Sequence, residues 1–289
     1  MDINNDTSSD DLISKPGPLR PVVLVLIDAW GIAPKYSGNV FADLKIKNFS
    51  SLIKDYPLAL LSVPLDNAAK RYSLIGASGD LSLAISQAGL SQLNLTESEK
   101  LINSWHHFNS GRTELLAKED LKVISSKTGA RNLDYKQSLP EIVKLALADI
   151  KKETHDVLIL NLANLDLVSA TGDLLASKLA AKELDKSLGR LADAVLKQDG
   201  VMIVGAAYGH AESMINMATE LPQSGITNNP VPLIIISRHY QGKNIGLSDT
   251  LDDDLSLVEP VGTLADISPT ILKILNIPPP SKLPGESLI

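Results

Sequence analysis

The run Val22-Val23-Leu24-Val25-Leu26-Ile27, bounded by Pro21 and Asp28, most limits what this chain can fold into. A strand with one solvated face alternates apolar and polar residues. This run is apolar throughout, so it reads as a central strand of a parallel sheet with both faces covered. Similar runs recur at 58–63, 157–162, 201–206 and 232–237. Helical patterns lie at 139–151, 174–196 and 263–275; in the second, Leu175, Leu179, Leu184, Leu188, Leu191 and Val195 mark one face, and Asp199-Gly200 marks the exit. Strands alternating with helices of this length predict an α/β fold, a doubly wound, mainly parallel sheet with helices on both faces. Segments 103–109 and 121–125 read as weaker strands that pair at an edge. In open parallel sheets, chemistry gathers at the carboxyl ends of the strands. The residues so placed are Asp28, 161–166, 207–210 and Arg238-His239.

A chain of 289 residues with 44% hydrophobic content can bury one large core, and residues 21–289 read as one domain. Residues 1–20, rich in Asn, Asp, Ser and Pro, bury too little apolar area to offset chain entropy and read as a disordered tail. A net charge of −7 without a basic face excludes nucleic acid as a natural partner. Cysteine is absent, which removes disulfides, thiolate metal sites and a cysteine nucleophile. No apolar stretch reaches the roughly 18–20 residues of a membrane helix. The start of the chain, with Asp2, Asp6, Asp10 and Asp11, is unlike a signal peptide. A cytoplasmic protein that meets no membrane is the expectation.

Asp28-Ala29-Trp30-Gly31, directly after the first strand, resembles the Asp-Gly-Trp-Gly that opens cofactor-independent phosphoglycerate mutases of the alkaline phosphatase superfamily. The order of further motifs strengthens the resemblance. Thr96-Glu97-Ser98-Glu99-Lys100 is similar to Glu-Thr-Glu-Lys, and Phe108-Asn109-Ser110-Gly111-Arg112 to Phe-Asn-Gly-Gly-Arg. Residues 161–168 resemble Asn-Tyr-Ala-Asn-Pro-Asp-Met-Val, with Thr171-Gly172-Asp173 continuing the match; 227–232 resemble Thr-Thr-Asn-Pro-Val-Pro. Residues 264–270 and 285–288 complete the signature, so the resemblance covers about residues 21 to 289. In that family a second domain interrupts the core just after a nucleophilic serine and closes over the substrate. Here Ile75-Gly76-Ala77-Ser78 resembles the serine motif, and Gly79-Asp80 leads straight into the following helix, so the resemblance implies that the insertion is missing after Ser78.

The family's chemistry uses two divalent cations, commonly manganese, and a serine whose pKa they lower. By resemblance Asp28 and Asp166 match metal ligands, Ser78 the nucleophile and Lys100 a lysine facing the site. Ala170, Ala207, Tyr208 and Ile226 stand where a histidine, an aspartate, a histidine and a histidine are expected. Methyl and sec-butyl groups cannot coordinate a cation. The resemblance thus implies a catalytically inactive relative with no cofactor, acting as a binding or scaffold protein with a protein partner. A remodelled metal-dependent phosphatase or phosphotransferase is the alternative, using Ser78 with manganese or zinc on Asp28, Asp166, Glu212 and His210. A non-catalytic phospho-ligand sensor is another.

Asp28 and Asp166 also read as strand-end caps, and Ser78 as a polar turn residue. If the two carboxylates converge without cations, their repulsion needs a proton or a counter-ion, and Lys100 is the nominee. Of the five histidines, His106 and His107 fall on the expected edge strand, pointing to opposite faces, His155 in a polar loop and His239 in a surface turn; His210 alone falls at the old site. Trp30, Ala170, Ala207, Tyr208 and Ile226 are expected to form an apolar, partly exposed patch that receives the partner.

Overall fold

The computed structural model describes residues 19–223, 225–245 and 254–289. Most of the expected tail, residues 1–18, lies outside the described residues. Arg20 already belongs to the fold: its guanidinium pairs with Asp156 at 2.9 Å.

Eight strands form one sheet: β1 (Val22–Ala29), β2 (Leu58–Ser62), β3 (Gln92–Glu97), β4 (Glu119–Ile124), β5 (Val157–Leu162), β6 (Val201–Gly209), β7 (Val231–Ile236) and β8 (Gly262–Thr263). Their spatial order is β4-β3-β5-β1-β6-β7-β2-β8. All pairings are parallel except those of β7, which runs antiparallel to both β6 and β2. β1 sits at the centre with every residue buried, as its unbroken apolar run requires. Each of its Val, Leu and Ile side chains contributes about 1.5–3 kcal/mol of hydrophobic stabilisation.

Among the described residues, seven α-helices cover the faces: α1 (Lys47–Asp55), α2 (Ala68–Ile75), α3 (Asp80–Gln87), α4 (Leu139–Lys152), α5 (Asn164–Ser169), α6 (Leu174–Lys197) and α7 (Ile267–Ile274). α1, α4 and α5 pack against α6, and α3 packs against α7. α6 begins under the side-chain cap of Asp173, which accepts from the Ala176 N–H, and buries Leu184, Leu188, Leu191 and Val195 along one stripe. α1 has no side-chain cap of its own. Asp185 of α6 supplies it, accepting from the N–H groups of Asn48 at 3.2 Å and Phe49 at 2.8 Å.

Two expectations need correction. Segment 103–109 is not a strand: 102–107 is helical, closing in a wide, π-type turn. His106 and His107 therefore lie side by side, rings edge to face with centroids 5.4 Å apart, rather than on opposite faces. The edge strand β4 pairs instead with β3, which the apolar runs do not reveal because Gln92, Asn94 and Thr96 alternate along it. Those side chains are buried on polar partners: Gln92 donates to the Ser82 carbonyl, Asn94 to Glu119, and Thr96 shares a 2.6 Å hydrogen bond with Ser104. The reversal of β7 also moves Arg238-His239 to the opposite end of the sheet from Asp28, where Arg238 approaches Asp199, just before β6, at 3.9 Å.

Candidate functional site

The carboxyl ends of β1, β3, β5 and β6 converge on one buried cluster. Asp28 lies near the end of β1, fully buried. The β1–β6 register shifts there: Ile27 pairs with Ala206 but Asp28 with Tyr208, leaving Ala207 as the extra residue of a bulge. A bulge re-aims the side chains beside it, and Tyr208 is turned toward the cluster, 2% exposed. Asp166 projects from the first turn of α5, and Lys100 from the turn after β3. The Lys100 ammonium lies 2.5 Å from Asp166 Oδ2, 3.6 Å from Asp28 Oδ2 and 3.4 Å from the Tyr208 hydroxyl. Tyr72 of α2 donates a short hydrogen bond to Asp28 Oδ1 and accepts one from Asn161 Nδ2 at 2.7 Å. His210 Nδ1 is 3.6 Å from Asp166 Oδ1, while its Nε2 donates to the Gln223 carbonyl at 3.3 Å.

The electrostatics follow from burial and this one cation. Burial raises the Asp28 carboxyl above the usual carboxylate value, against the pull of Lys100. Burial would raise Asp166 too, but His210 and Lys100 outweigh it and hold Asp166 below its ordinary value. Burial would likewise lower the Lys100 ammonium, yet Asp28 and Asp166 together raise it, so the lysine stays charged. Burial and the adjacent Asp28 push the phenols of Tyr72 and Tyr208 well above their normal range, so both remain neutral donors.

A third carboxylate, Glu212, knots the surrounding loops. Glu212, fully buried, accepts from the N–H groups of Gly31 at 3.1 Å and His210 at 2.8 Å through Oε2. Through Oε1 it accepts from the Thr227 hydroxyl and from Asn229 Nδ2 at 2.9 Å. The approach is so close that a Cβ on Gly31 would stand 2.5 Å from Glu212 Cδ, and one on Gly209 2.2 Å from Oε1. Both positions are therefore glycine for space. Arg71 extends the knot, donating to the Thr227 carbonyl at 2.8 Å and to Asn228 Oδ1 at 2.5 Å.

The structure brings Asp28, Lys100, Asp166, Tyr208 and His210 together, and the hydrogen bond of the Ser78 hydroxyl goes to Ser73 rather than to any of them. Ser78 is exposed in the join between α2 and α3, and its hydroxyl meets that of Ser73 at 3.4 Å. Ala77, Ser78 and Gly79 are successive residues with positive φ, at 50°, 56° and 92°. Ala170 is exposed at the end of α5, and Ile226 is 37% exposed. The apolar patch expected at this mouth does not form. Trp30 is buried, stacked on Phe41 at 4.6 Å and beside Phe49 at 4.8 Å, and Ala207 and Tyr208 are buried as well. His155 is not in an open polar loop but nearly buried, between Asp149 at 2.8 Å and Asp120 at 3.2 Å. Sequence reasoning missed Tyr72 as a site residue, because α2 carries no motif. The same reasoning gave Tyr208 as a lost ligand and a member of an exposed patch, not as a buried neighbour of the Lys100 ammonium.

Residues 20–279 match the model of the metalloenzyme superfamily. The chain belongs to that superfamily. It is 39% identical over 206 residues to the 2,3-bisphosphoglycerate-independent phosphoglycerate mutase of Acetivibrio thermocellus, covering 71% of this chain and 37% of that one. The enzyme of the same name from Clostridium acetobutylicum is 35% identical over 205 residues, covering 71% and 38%. Among solved structures, the Leishmania mexicana phosphoglycerate mutase superposes with a TM-score of 0.59 at 26% identity, over 71% of this chain and 38% of that one. An alkaline phosphatase from an Antarctic bacterium superposes with a TM-score of 0.58 at 9% identity over 89% of this chain, a likeness of fold alone. The chain thus spans well under half the length of the curated mutases it matches.

The residues present do not fit a pair of divalent cations. Among the described residues, no group of three or more His, Asp or Glu side chains is arranged to hold a metal ion. An ammonium stands against both remaining carboxylates, and both oxygens of Glu212 are taken by donors. No helix among the described residues is long and apolar enough to cross a membrane.

Proposed function

We propose that this chain is a non-catalytic, phosphoglycerate-mutase-like member of the superfamily that serves as a binding or scaffold protein for a protein partner. The observation that carries the reading is the Lys100 ammonium lodged between Asp28 and Asp166, where two-metal chemistry would need cations. Three features support it. Ala170, Ala207 and Ile226 cannot coordinate, Ser78 points its hydroxyl at Ser73, and α2 runs to α3 through a four-residue join, 76–79, the short connection expected if a substrate-closing domain is absent.

Purified protein supplied with manganese is assayed against 3-phosphoglycerate and a generic phosphomonoester. The expected result is no turnover above the level of a Ser78→Ala variant. Metal-dependent turnover that Ser78→Ala abolishes would sink the proposal and favour a remodelled phosphotransferase.

A further inference from the structure

We infer that Lys100 is a covalently tethered counter-cation that replaces a metal ion, and that shortening its side chain turns the same pocket into a divalent-cation site. The inference deepens the reading proposed above. Its test reads stability and ion binding rather than turnover, so either idea can fail without the other.

Two carboxylates in one buried site cannot be left without positive charge, because each ion removed from water costs several kcal/mol. A lysine ammonium offers three donors and no acceptor. Here the ammonium faces Asp166 Oδ2 at 2.5 Å, the Tyr208 hydroxyl at 3.4 Å and Asp28 Oδ2 at 3.6 Å, with the lysine side chain only 10% exposed. Tyr72 holds the other oxygen of Asp28 and is itself held by Asn161, so the carboxylate is fixed whether or not the ammonium is present.

Asp28 Oδ2 points to what the pocket would accept. It is fully buried and has no hydrogen-bond partner, and its cation stands beyond hydrogen-bond reach at 3.6 Å. An ammonium on a fixed stem satisfies Asp166 and leaves Asp28 Oδ2 with charge but no direct bond. A free divalent ion binds carboxylate oxygens at about 2.0–2.6 Å and could approach both at once. Removing the lysine stem beyond Cβ would vacate the space it needs. Hard oxygen donors select an ion such as manganese over softer metals.

The experiment uses the full chain, stripped with chelator and dialysed, as wild type, Lys100→Ala, Lys100→Met and Asp28→Asn/Lys100→Ala. Each is titrated with manganese chloride and followed by thermal unfolding and by the spin-resonance signal of free manganese. Wild type should bind no ion and keep its Tm. Lys100→Ala and Lys100→Met should both lose roughly 5–10 °C, the range for breaking a buried pair in a chain of this size. Manganese should bind to Lys100→Ala and restore part of that loss. It should not restore Lys100→Met, whose side chain fills the space, nor the double variant, which lacks one ligand.

Stoichiometric manganese on wild type, an unchanged Tm for Lys100→Met, or no manganese response in Lys100→Ala would each overturn the inference. Should Lys100→Ala fail to accumulate, Asp28→Asn/Lys100→Met is read against Lys100→Met. Removing the stranded charge must make the double variant the more stable, and the reverse order overturns the inference.

Discussion

Replacing Glu212 by alanine removes both acceptors from the point where three loops meet. Two backbone donors, Gly31 and His210, and two side-chain donors, Thr227 and Asn229, then face a cavity without partners. Hydrogen bonds to a charged acceptor are worth about 1.5–3 kcal/mol each, but bonds sharing one carboxylate do not add. A net loss of about 3–5 kcal/mol is therefore expected, the range for a fully buried charged group removed from its partners.

Glutamine separates charge from geometry. Its amide NH2 cannot face Gly31 and His210, whose N–H groups cannot turn around. It must take the Oε1 side, where the Thr227 hydroxyl can rotate to accept and the Asn229 amide can flip. Glu212→Gln should thus lose only about 1–2 kcal/mol. Urea unfolding followed by circular dichroism reads both variants, and thermal scans should show roughly 1.5–2 °C per kcal/mol. Equal losses for the two variants, or an alanine loss below about 1 kcal/mol, would refute the account of Glu212 as the acceptor that ties these loops.

Ala29 adopts φ +72° where related mutases are expected to have glycine, so Ala29→Gly should relieve left-handed strain and raise stability by up to about 1 kcal/mol; a lower Tm would count against this. Tyr72→Phe strips Asp28 of its hydroxyl donor and Asn161 of its acceptor, and an expected loss of about 1–3 kcal/mol is checked by the same urea titration. Burial would raise the Asp156 carboxyl, but the Ser91 amide and hydroxyl, with Arg20, outweigh it and hold it below the usual value. The stability it adds is present above the unfolded pKa of about 3.9 and is lost as pH falls through the lower folded value. The Tm gap between wild type and Asp156→Asn should therefore be full near pH 6 and close below about pH 4; a gap unchanged by pH would contradict this.

What the sequence made legible depended on how each element buries itself. β1, β5 and β7 are apolar on both faces, and α6 buries Leu184, Leu188, Leu191 and Val195, so pattern was enough to find these elements, although Leu175 and Leu179 of the expected helical face stay exposed. β3 was hidden because its buried polar residues look like a solvated face until their partners are known. α1 gave no sign of its start because its cap comes from Asp185, far along the chain. At the site, Asp28, Lys100 and Asp166 could be named from motifs, yet Tyr72 could not, since only the tertiary approach of α2 brings its hydroxyl to Asp28. The patch expected around Trp30 failed for the opposite reason: local sequence shows apolar residues but not that Phe41 and Phe49 cover the indole.

The ammonium between Asp28 and Asp166 differs from a bound ion in one thermodynamic respect. A ligand that binds only the folded state stabilises it by RT ln(1 + [L]/Kd), so each tenfold fall in free ion near saturation removes about 1.4 kcal/mol. Lys100 is carried by the chain, one per molecule, and has no concentration to vary. Its share of the folding free energy is the same in dilute and crowded solution, in chelator and in metal excess. On the inference drawn above, whatever surface this domain presents is uncoupled from the supply of divalent metal around it.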